Sequence, residues 1–175
     1  MAVIRILTYP DTVLLEPAEP VTNIDGKLQQ LIDDMADTMY HAPGIGLASN
    51  QVGEPRRVIL FDTSAKDEPN DLIVVINPEI IEADGVVVSE EGCLSVIDYS
   101  ADVKRSQRVT VQGVDREGNP ITLTREGLPA IVLQHEIDHL NGILFINHIS
   151  KLKRELYKRR LKKMLKQRES PSQKL

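Results

Sequence analysis

The stretch 134–142, Gln-His-Glu-Ile-Asp-His-Leu-Asn-Gly, leaves this chain little freedom over what its centre must be. The His-Glu-x-x-His spacing of His135, Glu136 and His139 suits a helix, where four residues advance about 400° around and about 6 Å along the axis. Both imidazoles then leave one face and can share a single metal ion, with Glu136 beside the position open to water. Apolar residues flank the pair on all sides: Leu128, Ile131, Val132, Leu133, Ile137 and Leu140. A helix that is apolar all round is a buried one. The rest of the fold therefore wraps around this segment, whose chemistry is that of metal-assisted hydrolysis.

Two histidines do not hold a catalytic metal alone, and a third protein ligand is needed. The chain offers one cysteine, Cys93, and two further histidines, His41 and His148. Cys93 lies in Glu91-Gly92-Cys93-Leu94-Ser95, and Gly92 frees the backbone to aim the thiol off a strand end. A lone cysteine is commonly a small buried hydrophobe. Here a metal motif is otherwise short of a ligand, and a thiolate binds Zn(II) or Fe(II) strongly, so Cys93 is taken as the third. His41 and His148 are read as surface residues.

A chain of 175 residues is long enough for one domain with a real core. It contains no run of 18 apolar residues, which excludes a membrane-spanning helix. Residues 1–5 lead straight into Tyr9-Pro10-Asp11 without the pattern of a signal or transit peptide, and a single cysteine rules out an internal disulfide. Both suit the cytoplasm. Trp is absent and aromatics make up 3%, so stacking platforms for single-stranded nucleic acid are not expected.

Helices are expected from Asp25 or Gly26 to Tyr40, with Asp25 as N-cap, from about Leu128 to Asn141, with Gly142 just past its cap, and over 147–168. Between the first two lie Val- and Ile-rich runs at 57–62, 72–76, 80–89, 103–114 and 121–124, with a hairpin turn over 115–120. Helices and strands are segregated, which predicts an α+β fold with mostly antiparallel sheets. Residues 1–150 are expected to form the catalytic body, 151–169 a basic helix of the same domain, and 170–175 a disordered tail.

The formal net charge of −5 hides an asymmetry, because residues 151–175 carry eleven basic side chains against two acidic ones. Leu152, Leu156, Leu161 and Leu165 give that helix an apolar line for docking on the body. Its basic face is either simply solvated or a site for electrostatic contact with RNA or a ribosome.

A third constellation stands at 44–51, expected as a small-residue loop after the first helix: Gly44-Ile45-Gly46-Leu47-Ala48-Ser49-Asn50-Gln51. Its small residues admit a substrate close to the backbone, and the Gln51 amide is the donor type that stabilises a developing oxyanion.

Taken together, the three segments resemble the motifs GxGxAAxQ, EGCLS and HExxDH of the peptide deformylase family, and the resemblance covers nearly the whole chain. It implies antiparallel sheets packed around a central helix, and removal of the N-formyl group from N-formyl-methionyl nascent peptides by a monomeric enzyme. It further implies Cys93, His135 and His139 as ligands of one divalent ion, Fe(II) by family habit, with Zn, Ni or Co able to substitute. Glu136 is then general base and acid, and Gln51 with the backbone N–H of Leu94 binds the oxyanion. Gly44, Ile45, Gly46, Leu128, Ile131 and Val132 are expected to shape the substrate site, the last three sharing a helix face with His135. Asp138 is expected to orient a ligand or pair with Arg105.

Ser49 stands where the family usually has alanine. The run from Val96 and Ile97 to Ser100 lacks the Ile-Pro and later arginine that often follow the cysteine motif, which changes the contacts available to later substrate residues. The nearest rival is a His-Glu-x-x-His metallopeptidase, but Phe145 replaces the third histidine of the metzincin pattern. A structural zinc site lacks a fourth ligand.

Overall fold

The computed structural model describes residues 2–169, and the expected tail at 170–175 lies outside them. Helix α1 (Gly26–His41) begins where expected: Asp25 accepts from Leu28 N–H at 3.0 Å, a cap worth about 1 kcal/mol. Five strands form one sheet in the order β1-β2-β3-β6-β7: β1 (Gly46–Ala48), β2 (Val58–Phe61), β3 (Ile73–Asp84), β6 (Arg108–Val114) and β7 (Pro120–Glu126). Two more, β4 (Val87–Cys93) and β5 (Val96–Arg105), pair with each other in a separate two-stranded sheet. Every pairing between these strands is antiparallel, and with α2 (Leu128–Leu140) and α3 (Lys151–Glu169) the fold is α+β, as the segregated pattern predicted.

Alternation along the strands explains the layering. In β2, Val58 and Leu60 join Leu47, Val74 and Ile76 in facing α1, where Leu28, Ile32, Met35 and Met39 pack. Ile59 and Phe61 join Ala48, Val75, Val109 and Val111 in facing α2, against Val132, Leu133, Ile137 and Leu140. The sheet is covered on both sides, so β2 reads as an unbroken apolar run. A third cluster lies under β4 and β5, where Val96 and Val103 meet Phe145, Tyr157 and Leu161.

Several boundaries differ from the sequence expectation, each for a local reason. The runs at 72–76 and 80–89 are not two strands. The first and the start of the second are a single strand, β3, kinked by bulges between Ile76 and Glu79 and between Ile80 and Glu82. Asn77 adopts φ 52° at the first bulge, and its amide exchanges two hydrogen bonds with the backbone of Val21. The run at 103–114 is two strands, because Ser106 leaves the ladder to pair its backbone N–H and C=O with the Gln134 amide, 2.9 Å each, on α2. The segment expected as a small-residue loop contains β1 and a 3-10 turn at Ser49–Val52.

The last helix starts at Lys151 rather than at 147. Phe145–His148 form a separate 3-10 turn, and Ser150 Oγ accepts from Lys153 N–H. Its docking face is Tyr157 and Leu161, both buried, with each large apolar side chain contributing about 1.5–3 kcal/mol. Leu152 and Leu156, expected in the apolar line, are exposed. Among the described residues no helix is long and apolar enough to cross a membrane.

Candidate metal centre and cleft

Helix α2 is buried on nearly every side, including Glu136 and His139. It ends because Gly142 takes φ +73°, letting its N–H reach His139 O and the N–H of Ile143 reach Asp138 O. A Cβ at Gly142 would lie 2.7 Å from Leu15 O, so the tight stop also needs glycine's size. The His139 carbonyl accepts from the Asn50 amide, which ties the helix to the 3-10 turn after β1.

One turn of this helix brings His135 Nε2 and His139 Nε2 within 3.2 Å of each other. Cys93 Sγ, at the end of β4, lies 3.2 Å from His139 Nε2. The three ligand atoms all fall within 4.8 Å of one another, a grouping able to hold a metal ion. His135 Nδ1 is 2.8 Å from the buried Glu91 carboxylate, an acceptor, so Nδ1 carries the hydrogen and Nε2 turns toward the other donors. Burial works against a charged His135, yet hydrogen bonds to Cys93 and Glu91 and the neighbouring Glu136 raise its basicity well above the usual value. Burial, with His135 and Arg105 nearby, lowers His139 well below the ordinary histidine value and keeps it neutral, the ligand form. One thiol and two imidazoles suit Zn(II) or Fe(II) on donor chemistry.

Glu136 is buried beside this cluster, and its Oε2 has no hydrogen-bond partner among the described residues. Burial raises its carboxyl to about 7, against the opposing pull of His135. The backbone of Gly46 runs so close that a Cβ there would sit 2.5 Å from Glu136 Oε1 and 2.9 Å from Val132 Cγ1. This is the physical need for the second glycine of the Gly44–Gln51 segment.

Gln51 is oriented from both ends. Its Oε1 accepts from Ala48 N–H at 2.9 Å, which assigns Nε2 to the other side. There Nε2 donates to Ser95 Oγ at 3.0 Å and approaches Cys93 Sγ at 3.7 Å. Ser95 N–H also points to the sulfur, at 3.4 Å. In the sequence Ser95 and Glu91 stand out only as parts of a motif. Their roles depend on contacts across the fold, which no spacing within their segment encodes.

A cleft of about 390 Å³ opens over these groups. Gly44, Ile45, Gly46, Gln51, Cys93 and Leu94 line it from one side. Leu128, Ile131, Val132, His135 and Glu136 line it from α2. His139 is not among the lining residues and sits behind His135, buried. Ile131 and Val132 are buried in the wall, whereas Ile45 and Leu128 stand half exposed at the lip. Of the remaining histidines, His41 is exposed at the end of α1 and His148 reaches the surface beside Asp138. Arg105 is buried and bonds both Glu91 and Asp138, so the expected Asp138–Arg105 pair is present. Phe145, which replaces the histidine of the peptidase pattern, stacks on His135 with ring centroids 6.3 Å apart.

A family model described as polypeptide deformylase matches residues 3–155. The chain is 58% identical over 168 residues to a peptide deformylase of Desulfosudis oleivorans, spanning 95% of this chain and 97% of the relative. It is similar to the crystal structure of a peptide deformylase from Legionella pneumophila, with TM-score 0.88 and 45% identity over 97% of this chain and 100% of that one. It is also similar to a Met-Ala-Ser-bound class I type b peptide deformylase from Acinetobacter baumannii, with TM-score 0.80 and 36% identity over 85% and 99% of the two chains.

Proposed function

From the premise that this chain is an enzyme belonging to the polypeptide deformylase family, we propose that it releases formate from the N-terminal formyl-methionine of newly made polypeptides in the cytoplasm. The observation that carries this reading is the convergence of Cys93, His135, Glu136 and Gln51 on one apolar-walled cleft, with His139 grouped beside Cys93 and His135 behind it.

Cys93, His135 and His139 would hold one divalent ion, Fe(II) as resident, with Zn(II), Ni(II) or Co(II) as substitutes. Such an ion, when bound, supplies Lewis acidity that lowers the pKa of water and polarises a carbonyl. Glu136 accepts the proton of the attacking water and later delivers it to the leaving amine; a carboxyl near neutrality in a buried site is suited to both transfers. The Gln51 amide, fixed by Ala48 and Ser95, and the Leu94 N–H stabilise the oxyanion of the tetrahedral intermediate. One such donor is worth about 3–4 kcal/mol. Ile131 and Val132, with Ile45 and Leu128 at the lip, receive the methionine side chain. Gly44 and Gly46 let the substrate pass close to the backbone.

The direct test compares formate release from a formyl-methionyl peptide with cleavage of an internal bond in an unformylated one. Formate without peptide cleavage is expected, and the reverse refutes the reading. Elemental analysis of protein purified without oxygen identifies the resident metal.

Gly46→Ala should destabilise the protein by about 1–3 kcal/mol, the cost of forcing a methyl into a packed site. Because the new Cβ displaces the Glu136 carboxylate, kcat should fall while metal content holds, read by thermal melts and formate assays.

The exposed basic face of α3 is proposed to contact ribosomal RNA near emerging chains. Removing the helix would also strip Tyr157 and Leu161 from the core, so charge reversal is the cleaner probe. Lys153→Glu with Lys162→Glu and Lys163→Glu, all at exposed positions, should weaken co-sedimentation with ribosomes most at low salt and leave peptide deformylation intact. Equal sedimentation removes the proposal.

A further inference from the structure

A line of charged side chains runs from the metal centre to the surface, and the proposed chemistry uses none of it. Glu91 accepts from His135 Nδ1 at 2.8 Å and from Arg105 Nε and Nη2 at 2.7 and 2.8 Å. Arg105 Nη1 continues to Asp138 Oδ2 at 2.5 Å, and the same oxygen lies 2.8 Å from His148 Nε2. Side-chain exposure rises outward, from 5% and 4% at Glu91 and Arg105 to 19% at Asp138 and 36% at His148. A carboxylate only accepts, so His148 Nε2 carries its hydrogen. Arg105 Nη1, 3.5 Å from that nitrogen, is itself a donor and makes no bond there.

This line joins two separately built parts. Cys93 comes from β4, whereas His135 and His139 come from α2. Arg105, the last residue of β5, grips Glu91 on β4 with two bonds and Asp138 on α2 with one. His148, in the turn after α2, closes over the outer side of Asp138. A solvent-open hollow of about 400 Å³, lined by Ile80, Val86, Lys104, Asp138 and His148 among others, lies at that end. If His148 did not donate there, water would compete for the Asp138 oxygen that holds Arg105.

We propose that His148 is a positioning residue for the metal centre: by donating to Asp138 it keeps Arg105 seated on Glu91, and so keeps the His135 ring in register with Cys93. The proposal rests on the function proposed above. It acts through other side chains and touches no substrate.

The test uses full-length wild type, His148→Leu and His148→Gln, with circular dichroism to confirm folding. Zn(II) affinity is measured by competition with a chromophoric chelator, the visible spectrum after Co(II) loading, and kcat and KM separately. Removing a direct partner of a metal-bound histidine costs 10–100-fold in affinity, so this more distant contact should cost about three- to tenfold. His148→Leu should show that loss and a shifted Co(II) spectrum at unchanged KM. His148→Gln, whose amide nitrogen reaches where Nε2 does, should restore both. Wild-type affinity and spectrum in the leucine variant overturn the proposal, as does a glutamine variant as impaired as leucine. A wild-type chain that takes up no Zn(II) overturns the metal-dependent function itself, an outcome distinct from equal uptake by all three.

Discussion

Glu136→Gln is expected to lower kcat for formyl-methionyl peptides by about 10²–10⁴-fold, the contribution of one positioned acid–base group, while metal uptake stays at the wild-type level. The amide keeps the shape of the carboxyl but cannot accept the water proton or return it to the amine. Glu136 is 4% exposed and Oε2 is without a partner among the described residues, so the substitution breaks no hydrogen bond there. Its Tm should equal or exceed that of the wild type, because an uncompensated buried carboxylate has been removed. Formate release with parallel metal analysis checks both halves. Retained turnover excludes Glu136 as base, and lost metal recasts it as structural.

Arg105→Met should cost about 3–5 kcal/mol at neutral pH, because one partner of a buried ion pair is removed and the other left uncompensated. Glu91 and Arg105 are both almost fully enclosed, and the guanidinium makes three of the bonds that order the site. Burial alone pushes the Glu91 carboxyl up, but hydrogen bonds from Arg105 and His135 outweigh it and hold the group at about 2, against its ordinary 4.5. A depressed carboxyl stabilises the folded state above its unfolded value, and that share is lost as pH falls through the folded one. The stability gap between wild type and variant should therefore be widest above about pH 4.5 and narrow toward pH 2, as denaturant melts across that range would reveal. A gap independent of pH would mean that the loss comes from packing alone.

The helical part of the candidate site was legible because His135 and His139 lie four residues apart, where helix geometry alone decides which side chains share a face. Asp25, Gly142 and the 115–120 turn were equally readable, since caps and turns depend on neighbours in the chain. What escaped were features set by distant partners. Ser106 breaks a run that reads as one strand because Gln134, far along the chain, offers its backbone a better-placed pair of bonds. Residues 44–48 read as a loop because glycine and alanine carry little strand propensity, yet β2 supplies β1 with its ladder. Glu91 and Ser95 were in view as letters without roles. Their roles belong to His135 and Gln51, on other elements. On α3, four leucines suggested a docking line, but the buried pair is Tyr157 and Leu161, because the surface they meet is the underside of β5.

That underside has a consequence for how the molecule comes into being. Cys93 packs against a cluster completed by Tyr157 and Leu161, side chains translated near the end of the message. A copy halted partway through synthesis would hold the thiol, both imidazoles and the glutamate, yet lack the floor beneath the sulfur. Order of translation thus leaves the wall around Cys93 incomplete until the final helix has emerged.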